Sequence, residues 1–275
     1  MGLVGLGLAG VALVGVAFHG PVKPPEGKLL DAATFNLGVG IFLLTIALVL
    51  PLAGLRDRGQ RRLRRLFLAF AGYGFTVETV QSFRGMDPRF SPLHAPIDMV
   101  VGGLFGLNAL LLTVAFIALG LRFFRTDVLP ERPVLRLGIR YGAVAVGISF
   151  AVGILMSVIR SRTIGEAGNL LPAHGLGVHG IQVLPVAALL ILWGGVARPA
   201  RWMHAAGAGW LLAVGAVLVK ALLGRPPLDP SPAAVLAVAG LLTATAVIGR
   251  GLLAWSPRLR PGVAGEAAGQ STAKQ

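Results

Sequence analysis

The chain has 275 residues, of which 55% are hydrophobic and 13% charged, with a mean hydropathy of +0.78, no cysteine and a formal net charge of +14. So apolar a composition excludes an ordinary soluble domain and specifies a membrane protein, while the lack of cysteine excludes disulfides, thiolate metal ligands and a cysteine nucleophile. The positive charge does not indicate nucleic acid, because it is dealt out between apolar runs instead of gathered on one polar domain.

A helix needs roughly 20 mostly apolar residues to cross about 30 Å of hydrocarbon. Eight runs qualify, at 3–18, 35–55, 66–83, 99–123, 141–159, 175–196, 203–223 and 233–255. They are too long and alternate too weakly for barrel strands, so the expected fold is all-α: a polytopic transmembrane bundle forming one domain over 1–255. The first run lacks a basic leader region and is read as a helix, not a signal peptide. Its glycines, Gly2, Gly5, Gly7, Gly10 and Gly15, make a smooth packing surface and not a phosphate loop.

The loop after the second run carries Arg56, Arg58, Arg61, Arg62, Arg64 and Arg65. Arg122, Arg125, Arg132, Arg136 and Arg140 fall in the alternate loop after the fourth run, Arg198 and Arg201 after the sixth, and Arg250, Arg258, Arg260 and Lys274 near the end. The other side receives fewer: Lys23, Lys28, Arg84, Arg89, Arg160, Arg162, Lys220 and Arg225. The positive-inside rule makes the arginine-rich side cytoplasmic and places both termini there. Trp193, Trp202 and Trp255 lie near helix ends on the same side, at headgroup level. The arginine clusters are read as topology signals and contacts to anionic membrane lipid. The segment 256–275, rich in Gly, Ala and Pro, is expected to be a disordered cytoplasmic tail.

The third run ends in ETVQSFRGMDPRF, where Glu78, Gln81 and Ser82 share a helix face. Glu78 lies about 9 Å inside the helix end at 1.5 Å per residue. A carboxylate at that depth costs at least a few kcal/mol unless paired, and Arg84, Arg160 and His179 are the cations considered for it. The following loop carries Asp87 and Arg89 and contains Pro88, Pro92 and Pro96, which forbid regular helix and favour a defined path able to position Arg89, His94 and Asp98. Asp98 opens the fourth helix, where an acidic side chain suits the free amides. Gly102 and Gly106 follow at four-residue spacing and are expected to let another helix pack beneath it.

The loop RSRTIGEAGNLLPAHGLGVHGIQVLP carries Arg160, Arg162, Glu166, Asn169, His174, His179 and Gln182. Pro172 suits the first turn of the sixth helix. His179 and Gln182 share a face, whereas His174 and His179 point about 140° apart, which is not the zinc-protease arrangement. Lys220 is expected to snorkel from an outer helix end. Glu78, Gln81, Arg84, Arg89, His94, Asp98, Arg160, His174, His179 and Gln182 thus form one expected extracytoplasmic pocket, with Glu78, Gln81 and Arg84 facing His179 and Gln182.

The run of Glu78, Gln81, Arg84 and Gly85 followed by Pro88, Arg89 and Phe90, with the later histidines and Gln of AHGLGVHGIQVLP, resembles a group of bacterial eight-helix membrane proteins without an established activity. The resemblance covers the third to sixth helices and implies the same layout. Those relatives often read Ser, His, Phe, Asn where this chain has Pro88, Arg89, Phe90 and Ser91, so that His has no counterpart here.

Three functions fit the residues. A protonatable outer site of Glu78, His179 and Arg84 could couple proton movement to transport of a small molecule or ion. A membrane-embedded enzyme or cofactor protein could use Glu78 as acid or base and Arg84 or Arg160 as an anion clamp, or hold a metal on Glu78, His94, His174 or His179, or a heme between His94 and His179. In a structural or assembly role the cluster would be a clamp. Neither cofactor nor substrate is fixed by the sequence.

Overall fold

The computed structural model of the protein describes residues 1–89 and 95–256. Eight α-helices run through them: α1 (Gly2–His19), α2 (Leu29–Val49), α3 (Asp57–Phe83), α4 (Pro96–Arg122), α5 (Pro133–Ile159), α6 (Leu171–Trp193), α7 (Pro199–Leu222) and α8 (Pro232–Trp255). Seven are long and apolar enough to cross a membrane. The exception is α3, whose first turns hold the arginine cluster and whose last turns hold Glu78. The protein is therefore an all-α, multi-pass integral membrane bundle. The expected tail lies, apart from Ser256, outside the described residues, as does His94.

Proline sets most of the helix starts. Pro96, Pro133, Pro172, Pro199 and Pro232 occupy the first turns of α4 to α8, where a missing amide proton costs nothing. Ser231 adds a side-chain cap, its Oγ accepting from the Ala234 amide at 3.2 Å. The close helix pairs, α1 with α2, α5 with α6 and α7 with α8, meet through small residues. A Cβ on Gly5 would strike the Asn36 carbonyl and Gly40, one on Gly142 would strike Ile181, and one on Gly209 would strike the Gly240 carbonyl. The sequence expectation for Gly102 and Gly106 is corrected: among the described residues nothing packs against Gly106, and Gly102 approaches only the Pro88 carbonyl.

At the arginine-rich end, arginines finish helix termini. Arg122 donates to the carbonyls of Ala53 and Gly54, Arg136 to those of Thr126 and Val128, and Arg140 to those of Phe123 and Phe124. Trp193 and Trp255 stack at 5.8 Å, and Arg250 lies 4.6 Å from the Trp202 ring. Above this belt the core is hydrocarbon, with Phe67, Phe75, Leu119 and Phe123 buried and Phe116 between Phe42 and Phe150, at 5.5 Å from each.

The opposite end carries two short antiparallel hairpins, β1 (Val22–Lys23) with β2 (Gly27–Lys28) between α1 and α2, and β3 (Thr163–Ile164) with β4 (Gly168–Asn169) between α5 and α6. They are built alike. Val22 faces Lys28 as Thr163 faces Asn169. The Leu29 amide donates to Pro21 at 3.0 Å as Leu170 donates to Arg162 at 2.9 Å, and Glu26 donates to Gly85 at 2.8 Å as Ala167 donates to Gly224 at 3.1 Å. Gly27 lies so close to Ser82 and Gly85, and Gly168 so close to Ala221 and Gly224, that neither tolerates a Cβ. Gly85 and Gly224, with φ of 82° and 68°, turn the chain at the ends of α3 and α7, a conformation open to glycine without strain. The unit helix, hairpin, helix, helix, turn, helix therefore occurs twice, as α1 to α4 and as α5 to α8.

Candidate functional site

The hairpin end of the first unit is where charge enters the bundle. Glu78, five residues before the end of α3, is completely buried. After Gly85 reverses the chain, the Met86 amide donates back to the Gln81 carbonyl at 2.9 Å and the Arg89 amide donates to Asp87 Oδ1 at 2.9 Å. This path folds the loop over the end of α3 and returns Arg89 into the bundle. Its guanidinium lies 2.6 Å from Glu78 Oε2, with the side chain only 20% exposed. The same guanidinium sits 5.3 Å from the centre of the Phe35 ring and 5.9 Å from that of Phe105, within range of a cation–π attraction.

The cation that meets Glu78 is thus Arg89, and not Arg84, Arg160 or His179 as the spacing suggested. The contact is close but lacks hydrogen-bond alignment, and neither carboxylate oxygen of Glu78 has a hydrogen-bond partner among the described residues. Such a group carries a large desolvation cost that ordinary folds avoid.

A second ion pair joins the two units. Arg162, at the foot of the β3–β4 hairpin, reaches Asp31 in the first turn of α2 at 2.6 Å. Burial opposes the Arg162 charge, but the close contact and charge of Asp31, with Asp87 and Glu78 further off, raise its basicity above the ordinary value; Asp31 Oδ2, like the Glu78 oxygens, has no aligned hydrogen bond among the described residues. Lys28 and Asp87 make a looser contact at 4.0 Å. Three acidic and three basic side chains thereby alternate across the hairpin end. Asp31 was missed in the sequence because the second run was taken to begin at 35; the helix starts at Leu29, directly from the hairpin strand. The visible signal was an acidic residue inside LLDAATF. Asn36 was missed too. It is buried, its Nδ2 donates to Thr79 Oγ1 at 2.9 Å, and its Oδ1 has no partner among the described residues.

Beside this cluster, Arg84, Gln81 and Asp98 form a separate knot. Asp98 Oδ1 accepts from Gln81 Nε2 and from Arg84, each at 2.8 Å, while Arg84 also donates to Gln81 Oε1 at 2.7 Å. Asp98 therefore ties α4 to α3 instead of serving as a local cap; the residue at the N-cap is Ala95.

The sixth helix departs from the expectation. His174 Nδ1 lies 2.8 Å from the Ser149 carbonyl, and Ser149 Oγ donates to the His174 carbonyl at 2.7 Å. These bonds staple α6 to α5; the Ser149 hydroxyl is committed to a carbonyl and is not poised as a nucleophile. His174 remains within electrostatic reach of Arg89. His179 and Gln182 do not face Glu78. His179 is exposed, and its Nδ1 meets Gln182 Oε1 at 2.6 Å on its own helix. The cause is the face α6 gives to α5: Gly177, Gly180, Ile181 and Leu184 pack there, which turns positions 179 and 182 to the other side of the helix. Arg160 is an exposed residue at the C-cap of α5. Among the described residues no group of three or more His, Asp or Glu is gathered to hold a metal.

Lys220 is also corrected. It is 4% exposed, and its ammonium donates to the Pro227 carbonyl at 2.9 Å and to that of Asp229. It does not snorkel, because the turn after α7 folds its carbonyls directly over the helix end.

Comparison with protein-family models, with curated proteins and with solved structures finds no match.

Proposed function

We propose that the chain is a protein of the bacterial cell membrane, related to the eight-helix group that its Glu-x-x-Gln-x-x-Arg-Gly run resembles, with both termini in the cytoplasm and the hairpin end outside. Its charged hairpin end is a one-sided binding site for a small molecule or ion, with Glu78 as the ligand-holding and protonatable group of a proton-linked transporter. The supporting observation is Glu78 itself: wholly buried, charge-paired by a loop residue, and without an aligned hydrogen bond. A carboxylate kept for a clamp is stabilised best when its hydrogen bonds are complete. One that must exchange partners is left incomplete, and a proton or a ligand can take the place of Arg89.

The exposed arginines Arg58, Arg61, Arg62 and Arg65 form one face of α3 above Leu66 and Ala69. That order, guanidinium over hydrocarbon, suits the headgroup and acyl chain of an anionic lipid.

Native mass spectrometry of the protein released with its surrounding lipid tests the site. The expected result is a small bound species that is lost in Glu78→Gln while the lipid adducts stay; equal occupancy in both proteins would overturn the reading. The absence of cysteine makes the topology testable as well. Ser161→Cys should react with a membrane-impermeant maleimide in intact cells, and Gln60→Cys only after permeabilisation.

A further inference from the structure

The groups around the Arg89 guanidinium are those that recognise an organic cation. Glu78 supplies the negative charge from α3, Phe35 a ring from α2, and Phe105 a ring from α4. The two rings lean together at 5.9 Å and 45°, so they form two walls of one box with the carboxylate on a third side. The Phe35 ring stands against α3 at Gly74, one turn below Glu78, where a Cβ would lie 3.4 Å from it. A cation is attracted to such rings through their quadrupoles, more strongly once water is excluded, and a buried carboxylate fixes its charge. None of these three residues belongs to the arginine's own loop.

From this we infer that Arg89 is an internal stand-in for the ligand, and that the site takes a small organic cation, of the guanidinium or alkylammonium class, in its place. This rests on the proposed site at Glu78 and names its substrate class. Arg89 follows the turn at Gly85, whereas Glu78, Phe35 and Phe105 stand on α3, α2 and α4, so a swing of the long arginine side chain alone would empty the box and leave the other three in place. The exchange conserves charge: one cation departs as another enters, and the buried carboxylate is never left alone. An anion or a neutral solute would have to break the Glu78 pair without replacing it, and would be rejected for that reason.

The competing position of Arg89 makes a specific prediction about affinity. A tethered competitor lowers the apparent affinity by the fraction of time it leaves the site free, so removing it should tighten binding. Isothermal titration of the full-length protein in detergent, with methylguanidinium, tetramethylammonium, methylurea and acetate as probes, reads this directly. The expected result is saturable binding of at least one cation to the wild-type protein, at least tenfold tighter binding to Arg89→Ala, no binding to Glu78→Gln, and none of methylurea or acetate to any of them. Phe35→Leu keeps the ion pair and should weaken the cation by about fivefold, the size of a partly desolvated cation–π contact; this variant serves where Arg89→Ala does not fold. Glu78-dependent binding of methylurea or acetate would overturn the cation class and leave the site reading standing. Failure of all four probes on wild type, Arg89→Ala and Phe35→Leu alike would overturn the inference, and the native mass spectrum of wild type against Glu78→Gln then decides the site reading separately.

Discussion

The two units of the bundle solve the same problem at their hairpin ends with different chemistry. In the second unit the turn after α7 is closed by Lys220, whose ammonium ties down two carbonyls. The position that corresponds to Glu78, counted back from the turn glycine, is the half-buried Val217. In the first unit the position of Lys220 is taken by Gln81, bonded to Asp98; where the first unit has Glu78 and Asp31 the second has Val217 and Pro172, while Asp87 keeps an acidic counterpart in Asp229. The shared backbone bonds show that the frame closes in the second unit without a buried carboxylate. The buried Glu78 is therefore not required by the shared backbone frame, which accords with the binding role proposed for it.

The comparison can be strained from either side. The largest effect is expected for Arg89→Ala, which leaves Glu78 alone in an apolar setting; breaking one side of a buried pair costs about 3 kcal/mol, read as a lowered unfolding temperature in detergent. In the second unit, Lys220→Met frees two carbonyls from their ammonium and should cost about 2 kcal/mol without any effect on ligand occupancy. Gly27→Ala and Gly168→Ala test whether the frames are equivalent. Both place a methyl against a backbone carbonyl, and each should cost about 1 to 3 kcal/mol by overpacking; a large loss in one and none in the other would break the equivalence. The smallest effect is expected at Gln81→Leu, about 1 kcal/mol, because Arg84 still reaches Asp98.

The helices were legible in the sequence because most of the apolar runs are long and bounded by arginine or proline; α3, which holds the arginine cluster and Glu78, is the one that falls short of a membrane span. The repeat was harder to see. Only short traces of it survive, Gly27-Lys28-Leu29-Leu30 against Gly168-Asn169-Leu170-Leu171 and Asp87-Pro88 against Asp229-Pro230, since most shared contacts are made by backbone groups that any residue supplies. Glu78 was legible as an expensive residue, but its partner was not. Helical spacing offered Arg84 and His179, whereas the loop geometry set by Gly85 and Asp87 delivers Arg89. His179 failed as a facing residue because the small residues of α6 choose which side meets α5, and that choice depends on the matching surface of α5.

The most direct measurement is the stability and ligand occupancy of the double variant Glu78→Val with Arg89→Leu, which puts the valine of the second unit at the position of Glu78 and replaces the buried ion pair by two apolar side chains. If the charges serve a ligand, the variant unfolds within about 1 kcal/mol of wild type, since an apolar pair often replaces a buried ion pair without loss, and its native mass spectrum lacks the small bound species. A variant destabilised as severely as Arg89→Ala, or one that keeps the bound species, would contradict the account.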